Sequence, residues 1–319
     1  MSLKNHNGHG VQYNLIVILG PTASGKTQLA VRLARDMRSE IISADSRQVY
    51  RGMDIGTGKD LSEYDVHGVS VPYHLIDIVD PTHEFNVFEY QKRFYRSFSE
   101  ISLRGIMPIM VGGTGLYIES IIMGYSMPEV PENHGLRQEL EKQNLQDLVK
   151  RLLELNPDVH NTTDLRDRAR CIRAIEILEF TKAQNGDRET HCPVIAPLVI
   201  GIRWERQTLR QKITNRLTER IKSGMIDEVK KLNESEIGWE KLDFFGLEYR
   251  YIGLYLQDKI SYNDMFQKLN TRIHQFAKRQ ETWFRRMEKH GIKICWIDGN
   301  DYTALKKITD PLMKNNPCI

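Results

Sequence analysis

Residues 15–27 read LIVILGPTASGKT: five aliphatic residues are followed at once by a loop of small and polar residues. A short run without polar residues is typical of a strand that is buried on both faces, and apolar residues from Gln28 to Met37 then recur at helical spacing. A glycine-containing loop between such a strand and a helix can turn its backbone N–H groups toward an anion, and the helix N-terminus adds favourable partial charge. The stretch therefore predicts an anion-binding turn in an α/β protein.

The loop also fits the pattern G-x-x-x-x-G-K-[ST], the P-loop, in the strand–loop–helix setting that this motif requires. We expect the Lys26 ammonium to reach the terminal phosphates of a ligand and the Thr27 hydroxyl to hold Mg²⁺. The predicted diphosphate-binding residues are Gly20, Pro21, Thr22, Ala23, Ser24, Gly25, Lys26 and Thr27. The alternative is a chance match on a glycine turn. A diphosphate ester of any organic group satisfies the same groups, so the motif does not establish nucleoside triphosphate hydrolysis.

Strands and helices alternate along the first 124 residues. After 15–19, the sequence predicts strands at 41–44, 74–79 and 106–111 and a helix at 85–103. Polar or glycine residues follow these strands, namely Asp45, Asp80 and Gly112–Gly115. Because ligands of parallel α/β sheets bind beyond the carboxyl ends of the strands, we expect these residues at one edge. The predicted fold class is α/β, with a P-loop NTPase-like parallel sheet flanked by helices.

The alternation stops after Gly124, where Pro128 and Pro131 precede two helical patterns at 136–155 and 167–182. We predict an all-helical insertion domain at 125–192, a P-loop core domain formed by 15–124 and 193–319, and a disordered tail at 1–14. The later core is expected to contain strands at 198–202 and 292–297 and helices at 206–223, 225–232 and 263–290.

The composition sets the class of protein. The 319 residues are 40% hydrophobic and 27% charged, which excludes a fully disordered or fibrous chain. The aliphatic run at 15–19 is too short to cross a bilayer. Four cysteines without a C-x-x-C pair argue against a disulfide scaffold and favour a reducing cytoplasm. The formal net charge of +3 does not require a nucleic acid partner, but basic residues concentrate between Thr271 and Lys289.

Several motifs occur in an order that resembles the bacterial tRNA dimethylallyltransferases, also called tRNA isopentenyltransferases. They are GPTASGKT at 20–27, DSRQVYRGMDIGTGK at 45–59, HLID at 74–77, GGTGLY at 112–117, D-x-x-R-x-x-RAIE at 167–176 and AKRQETWFR at 277–285. The resemblance covers about 15–298. The first, second and last motifs together are specific, whereas the phosphate loop alone is not.

The resemblance implies a reaction and its partners. The family transfers a dimethylallyl group from dimethylallyl diphosphate to N6 of the adenosine on the 3′ side of the anticodon, and diphosphate is released. It implies a P-loop core, a helical insertion that grips the anticodon stem-loop of tRNA, and a channel between them for the diphosphate and the flipped adenine. We expect Mg²⁺ as cofactor, no membrane partner and a monomer.

Three residues are expected to be catalytic. Asp45 matches the family's general base, although the residues alone also allow an aspartate that orders Mg²⁺ waters or caps the turn at Ser46. Arg216 matches an arginine that the family places on the diphosphate, although its spacing alone favours a solvated helix residue. Lys26 and the P-loop N–H groups would stabilise the leaving diphosphate, which is usually the largest catalytic contribution.

A basic stripe is predicted on the helix at 263–290, where Arg272, Arg279 and Arg286 recur every seven residues. Phe276, Trp283, Phe284 and Met287 are expected to supply apolar contacts beside it. Phosphates attract such a stripe, although a run of charge is more often a solvated face. The resemblance extends the expected tRNA contacts to Asp45, Ser46, Arg47, Gln48, Thr114, Arg137, Arg170, Arg173, Arg272, Lys278, Arg279, Gln280, Trp283 and Arg285.

The sequence departs from the family at two places. Gly58 and Asp60 flank Lys59 where the family more often has alanine and proline, and Gly246-Leu247 replaces the usual Gly-Tyr. Both leave the local loop shape open. Three rival functions are a P-loop kinase, an isopentenyltransferase acting on free adenylate, and a non-catalytic RNA-binding module.

Overall fold

The computed structural model describes residues 12–66, 68–125, 127–157, 165–183, 192–235 and 237–314. The chain forms two compact units, one built from the chain up to Gly124 and from Pro193 onward, the other from Tyr125–Cys192. Most of the predicted disordered tail, at 1–11, lies outside the described residues.

The larger unit is organised around a parallel sheet, which confirms the predicted fold class. Among the described residues six strands form it, in the spatial order β5 (Tyr73–His74), β2 (Ile41–Ala44), β6 (Ile109–Gly112), β1 (Leu15–Leu19), β7 (Pro197–Arg203) and β8 (Ile294–Asp298). A two-stranded antiparallel hairpin, β3 (Asp65–Val66) and β4 (Val69–Ser70), lies apart from this sheet.

Alternation along β1 explains why its sequence is aliphatic throughout. Leu15, Val17 and Leu19 belong to the hydrophobic core on one face of the sheet, and Ile16 and Ile18 belong to the core on the other. All five are fully buried. A strand that is covered on both faces has no position where a polar side chain would reach water.

Helices cover both faces. They are α1 (Lys26–Met37), α2 (Val87–Ser102), α3 (Gly115–Ile122), α7 (Arg206–Lys222), α8 (Met225–Glu234), α9 (Trp239–Phe245), α10 (Leu247–Leu256), α11 (Tyr262–Lys289) and α12 (Tyr302–Lys314). A short 3₁₀ helix spans Leu61–Tyr64. The sequence did not predict α3, α9, α10, α12 or the hairpin. None of the described helices combines the length and apolar character that crossing a membrane would require.

The predicted strand at 74–79 is wrong. Strand β5 ends at His74, and Leu75 and Asp77 have positive φ values of 63° and 54°, which no β-strand accommodates. The Asp77 carboxylate pairs with the fully buried Lys59 ammonium, which draws this segment out of the sheet. Asp80, expected at the ligand edge, instead forms an exposed ion pair with Arg51.

The smaller unit contains α4 (His134–Leu140), α5 (Leu145–Leu155) and α6 (Arg168–Ala183) around a core of Leu140, Leu148, Leu152, Cys171 and Ile175. The single helix predicted at 136–155 is therefore wrong. The chain breaks there because Asn144 caps a new helix, its side-chain oxygen accepting the Asp147 N–H at 3.0 Å.

Candidate active site

A cavity of about 1040 Å³ opens in the larger unit beyond the carboxyl ends of β1, β2 and β6. It collects predicted site residues from five distant parts of the sequence. Those that line it are Thr22, Ala23, Gly25, Lys26, Thr27, Asp45, Ser46, Arg47, Gln48, Thr114, Arg216, Arg279, Gln280 and Trp283. Gly20, Pro21 and Ser24 complete the P-loop behind this lining, and Arg272, Lys278 and Arg285 lie away from it.

The P-loop takes a backbone path that favours small residues. Ala23 and Gly25 have φ values of 60° and 81°, in the left-handed region. A Cβ atom on Gly25 would lie 2.4 Å from Oδ1 of Asn300, so glycine is needed here for space as well as for conformation. From the other side, Trp204 Nε1 donates to the Ser24 carbonyl oxygen at 2.9 Å. The loop is thus held in shape before any ligand arrives.

Gln280 of α11 connects the P-loop to the turn after β6. Its Oε1 accepts the Thr22 N–H at 2.8 Å, and its Nε2 donates to the Gly113 carbonyl oxygen at 2.9 Å. The side chain is buried. Gln280 is predicted to contact tRNA, but both of its amide atoms already bind backbone groups of the site. The structure therefore gives it a role in fixing the two loops against each other.

Lys26 begins α1 and faces the cavity, with its Nζ 3.4 Å from the Pro21 carbonyl oxygen. Burial, and then the positive charge of Arg216, lower the pKa of Lys26 to about 8, while the Asp45 carboxylate acts in the opposite direction. An ammonium group with little solvation and a cationic neighbour gains strongly from a bound anion.

Asp45 follows β2 and is half-buried in the cavity wall. Its Oδ1 accepts the Arg47 N–H at 2.9 Å, so the aspartate does cap the turn at Ser46. Its other oxygen makes no hydrogen bond to the described residues and can accept a proton from a ligand. Thr114 completes the turn, because its Oγ1 accepts the Ser46 N–H at 3.0 Å.

Gln48 serves the adjoining loop. Its Nε2 donates to the Gly58 carbonyl oxygen at 3.0 Å, and its Oε1 accepts from the Ser43 hydroxyl at 3.1 Å. It is predicted to contact tRNA, and it lines the cavity while holding the backbone that carries Gly58.

Arg216 projects from α7 into the same cavity. Its Nη2 lies 2.6 Å from Oδ2 of Asp60, which makes it half of a partly exposed ion pair. The sequence alone favoured a solvated arginine here; the structure instead places it beside Lys26, close enough to influence the pKa of that lysine.

The residues of the basic stripe have different surroundings. Arg279 is exposed and lies over the ring of Phe276, which is itself 38% exposed at the cavity. Arg286 is bound to the buried Glu119 at 3.1 Å and stacks on Trp283, whose Nε1 donates to the same carboxylate at 2.9 Å. Arg272 donates to the Tyr251 hydroxyl at 3.2 Å.

Two expected apolar contacts of that stripe are wrong. Phe284 and Met287 are fully buried and form part of the main hydrophobic core. They lie on the inner face of α11, which packs against α3, α7 and α10, so they belong to the core and cannot meet a ligand.

In the smaller unit, two of three predicted arginines are already paired. Arg137 and Arg173 both bind the carboxylate of Glu176, which is 1% exposed. Burial alone would raise the pKa of Glu176, but hydrogen bonds from Arg137, the Asn133 N–H and Arg173 lower it to about 2. Arg170 is exposed, and its guanidinium makes no hydrogen bond within the described residues.

Sequence reasoning missed Glu228. Its carboxylate accepts the N–H groups of Asp54, Ile55 and Gly56 at 2.9, 2.6 and 3.0 Å, and the Tyr249 hydroxyl at 2.8 Å. It therefore shapes the loop that ends at the cavity. No pattern in the sequence around Glu228 indicates a contact with Gly56, which lies 172 residues earlier in the chain.

The fold and the site define the class of protein as a transferase with a P-loop α/β fold. Comparisons with known proteins identify the family. A family model described as IPP transferase matches residues 48–287, and one described as isopentenyl transferase matches residues 13–73. The chain belongs to the IPP transferase family, whose members transfer prenyl groups.

Named relatives agree. "tRNA dimethylallyltransferase 1" of Syntrophus aciditrophicus (strain SB) is 62% identical over 92% of this chain and 96% of its own. The protein of the same name from Geotalea uraniireducens (strain Rf4) is 56% identical over 95% and 98%.

Solved structures agree as well. A tRNA isopentenylpyrophosphate transferase from Bacillus halodurans has a TM-score of 0.67 at 32% identity, covering 95% of this chain and 97% of its own. A eukaryotic dimethylallyltransferase acting on tRNA reaches a TM-score of 0.79 at 22% identity, covering 96% and 80%, and shows the shared fold.

The lowered pKa of Lys26 predicts a pH-dependent affinity for anions. Because the ammonium loses its proton as the pH rises through about 8, affinity for sulfate, whose charge is constant, should fall about tenfold from pH 7 to pH 9. Calorimetric titration measures it. Lys212→Met, at the same cavity, should keep this dependence, whereas Lys26→Met should lose it. A full pH dependence in Lys26→Met would contradict the assignment.

Proposed function

We propose that the protein transfers the dimethylallyl group from dimethylallyl diphosphate to N6 of the adenosine on the 3′ side of the anticodon in tRNA. The observation that carries this proposal is that one cavity holds the P-loop, the cations Lys26 and Arg216, and the Asp45 carboxylate. One oxygen of that carboxylate makes no hydrogen bond to the described residues. The Asp45 carboxylate influences the pKa of Lys26 through its charge, which supports their working on one substrate.

The donor half of the reaction needs stabilisation of a leaving anion. When the bond between the allylic carbon and the diphosphate oxygen breaks, the electron pair stays on the diphosphate. Fixed N–H groups of the P-loop, Lys26 and Arg216 face the position where this charge develops. Groups that are already oriented pay no reorganisation cost at that moment.

Mg²⁺ fits this site through Thr27. The hydroxyl of Thr27 lies in the cavity lining one residue after Lys26, and Asp45 faces the same space. Mg²⁺ usually binds one or two protein oxygens together with substrate phosphates and water, so a site without a full protein ligand set suits it. The ion would add positive charge next to the diphosphate.

The acceptor half needs removal of a proton. The lone pair of the adenine N6 is delocalised into the ring, so N6 becomes nucleophilic enough only as its proton is lost. In the proposed step the new carbon–nitrogen bond forms at N6 and the proton passes to the free oxygen of Asp45. The hydrogen bond from the Arg47 N–H holds the carboxylate in place during this transfer.

Recognition of tRNA is proposed to use the exposed cations. The candidates whose guanidinium or ammonium groups are exposed are Arg170, Lys278, Arg279 and Arg285. Arg137 and Arg173 would first have to leave Glu176, so they are better suited to hold the smaller unit in shape. An exposed aromatic ring such as Phe276 offers a surface on which an unstacked base could lie.

The cytoplasmic location and the monomeric state of the protein remain predictions.

The transfer itself can be tested directly. The protein, Mg²⁺ and dimethylallyl diphosphate are incubated with unmodified tRNA or with AMP, and digested nucleosides are analysed by mass spectrometry. We expect dimethylallyl-adenosine from tRNA and none from AMP. Product on AMP would favour an adenylate isopentenyltransferase, and phosphate transfer from ATP would favour a kinase; either result contradicts the proposal.

The role of Asp45 predicts a loss of turnover without a loss of binding. Asp45→Asn keeps the oxygen that accepts the Arg47 N–H but cannot take up a proton. Single-turnover transfer should slow by about 10²–10⁴-fold, while the Kd for tRNA stays within a few-fold of the wild-type value. Quenched-flow kinetics and filter binding measure the two quantities. A normal rate with weakened tRNA binding would assign Asp45 to RNA contact alone.

The exposed arginine at the cavity predicts a change in salt dependence. Arg279→Ala should weaken tRNA binding. It should also reduce the slope of log K against log [salt] by about one, the contribution of one lost phosphate contact. Lys307→Ala on α12, an exposed residue away from the cavity, is the matched control and should keep the wild-type slope. Equal slopes for Arg279→Ala and the control would remove Arg279 from the RNA-binding surface.

A further inference from the structure

Arg220, one turn of α7 beyond Arg216, also reaches the cavity. Only 13% of its side chain is exposed. Its Nε and Nη2 are buried and have no hydrogen-bond partner within the described residues. Oδ2 of Asp60 lies 3.6 Å from Nη2, beyond hydrogen-bond distance, and the same oxygen binds Arg216 at 2.6 Å. A buried guanidinium is thus left with donors that no group in the described part of the chain satisfies.

Space for Arg220 is created by a glycine. A Cβ atom on Gly58 would lie 1.4 Å from Nη2 of Arg220 and 2.8 Å from Nη2 of Arg216. Gly58 also has a φ of +66°, which disfavours other residues. Gly58 and Asp60 therefore both lie against the guanidinium groups of Arg216 and Arg220. One makes room for them and the other supplies their counter-charge.

The electrostatics of this group point to a missing anion. Burial, and then the neighbouring Arg216, lower the pKa of Arg220. Burial alone would raise the pKa of Asp60, but the positive charges of Arg216 and Arg220 lower it. The Asp60 carboxylate is shared by two guanidinium groups, and both of these also act on the nearby Lys26 ammonium. Glu248 and Glu63 also face these cations, but burial raises the pKa of both carboxyl groups and so disfavours their charged forms.

We infer that Arg220 is a second guanidinium for the diphosphate, and that Asp60 is a counter-ion that the diphosphate replaces. Before substrate binds, Asp60 keeps Arg216 and Arg220 side by side despite their repulsion. When the diphosphate enters, its oxygens accept the free donors of Arg220 and take Arg216 from Asp60. After transfer, Asp60 competes again for both arginines and so favours release of the product diphosphate. This role of Asp60 is one of positioning, and it rests on the proposed function.

Affinity for inorganic diphosphate tests the role of Arg220. In calorimetric titrations with Mg²⁺ and without tRNA, Arg220→Met should bind inorganic diphosphate about 10- to 100-fold more weakly than the wild type, as expected for lost charge-assisted hydrogen bonds. Arg220→Lys should recover part of the loss. Arg210→Met, an exposed arginine on the same helix, is the matched control. An affinity of Arg220→Met within twofold of the wild type would overturn the inference.

Asp60→Asn separates the counter-ion role from a purely structural or metal-binding role. Without the competing negative charge, inorganic diphosphate should bind several-fold more tightly and inhibit transfer more strongly as a product. A structural residue or a Mg²⁺ ligand would show the opposite, namely weaker diphosphate binding in the variant. That result would overturn the inference.

Gly58→Ala tests whether the space above Gly58 affects diphosphate affinity by accommodating the Arg220 guanidinium. The added methyl group would lie 1.4 Å from Nη2 of Arg220 and 2.8 Å from Nη2 of Arg216, so diphosphate affinity should fall clearly more in the wild-type background than in the Arg220→Met background. Equal losses in both backgrounds would contradict the coupling.

The outcome is distinguishable from failure of the proposed function. If the wild-type protein modifies tRNA but Arg220→Met binds diphosphate normally, this inference alone fails. If it modifies no tRNA while diphosphate binding still depends on Arg220 and Asp60, the proposed function fails and the anion site remains.

Discussion

The parallel pairing of β1 with β6 and β7 is the constraint on which the site depends. Leu19 lies opposite Gly112 on one side and Gly201 on the other, and Gly112 also lies opposite Ala44 of β2. Strands β1, β2 and β6 therefore end at the same level, so the P-loop, the turn at Asp45 and the turn at Thr114 begin side by side. A Cβ on Gly112 would lie 2.2 Å from the Ala44 carbonyl oxygen, which shows how closely β2 and β6 approach at this edge.

Polar contacts from distant parts of the chain then fix the loops that the sheet brings together. Gln280 binds the P-loop and the turn after β6, Trp204 binds the P-loop from behind, and Glu228 gathers three N–H groups of the loop that carries Gly58. These side chains form hydrogen bonds with backbone donors and acceptors of the loops, and so restrict the motion of the loop backbone. The backbone N–H groups of the P-loop are consequently oriented before substrate binds, which is the condition under which electrostatic stabilisation is most effective.

The amino-acid sequence predicts this architecture where the signal is local. The P-loop, β1, β2 and the amphipathic α1 follow from residues that are neighbours in the chain, and the structure has them within about a residue or two of the prediction. The segment at 74–79 is apolar enough for a strand, but Asp77 is drawn to the buried Lys59 by a contact that the segment itself does not encode. Gln280 is 258 residues from Thr22, and Asp60 is 156 residues from Arg216. Such pairings depend on the tertiary fold, and no periodicity in the sequence reveals them.

A crystal structure of the protein with Mg²⁺, tRNA and the unreactive thio-analogue of dimethylallyl diphosphate tests the central claim most directly. The account predicts the diphosphate within the P-loop, in contact with Lys26 and Arg216, and the allylic carbon between it and an extruded adenine whose N6 faces Asp45. A diphosphate bound outside the P-loop, or an adenine N6 that faces away from Asp45, would contradict it.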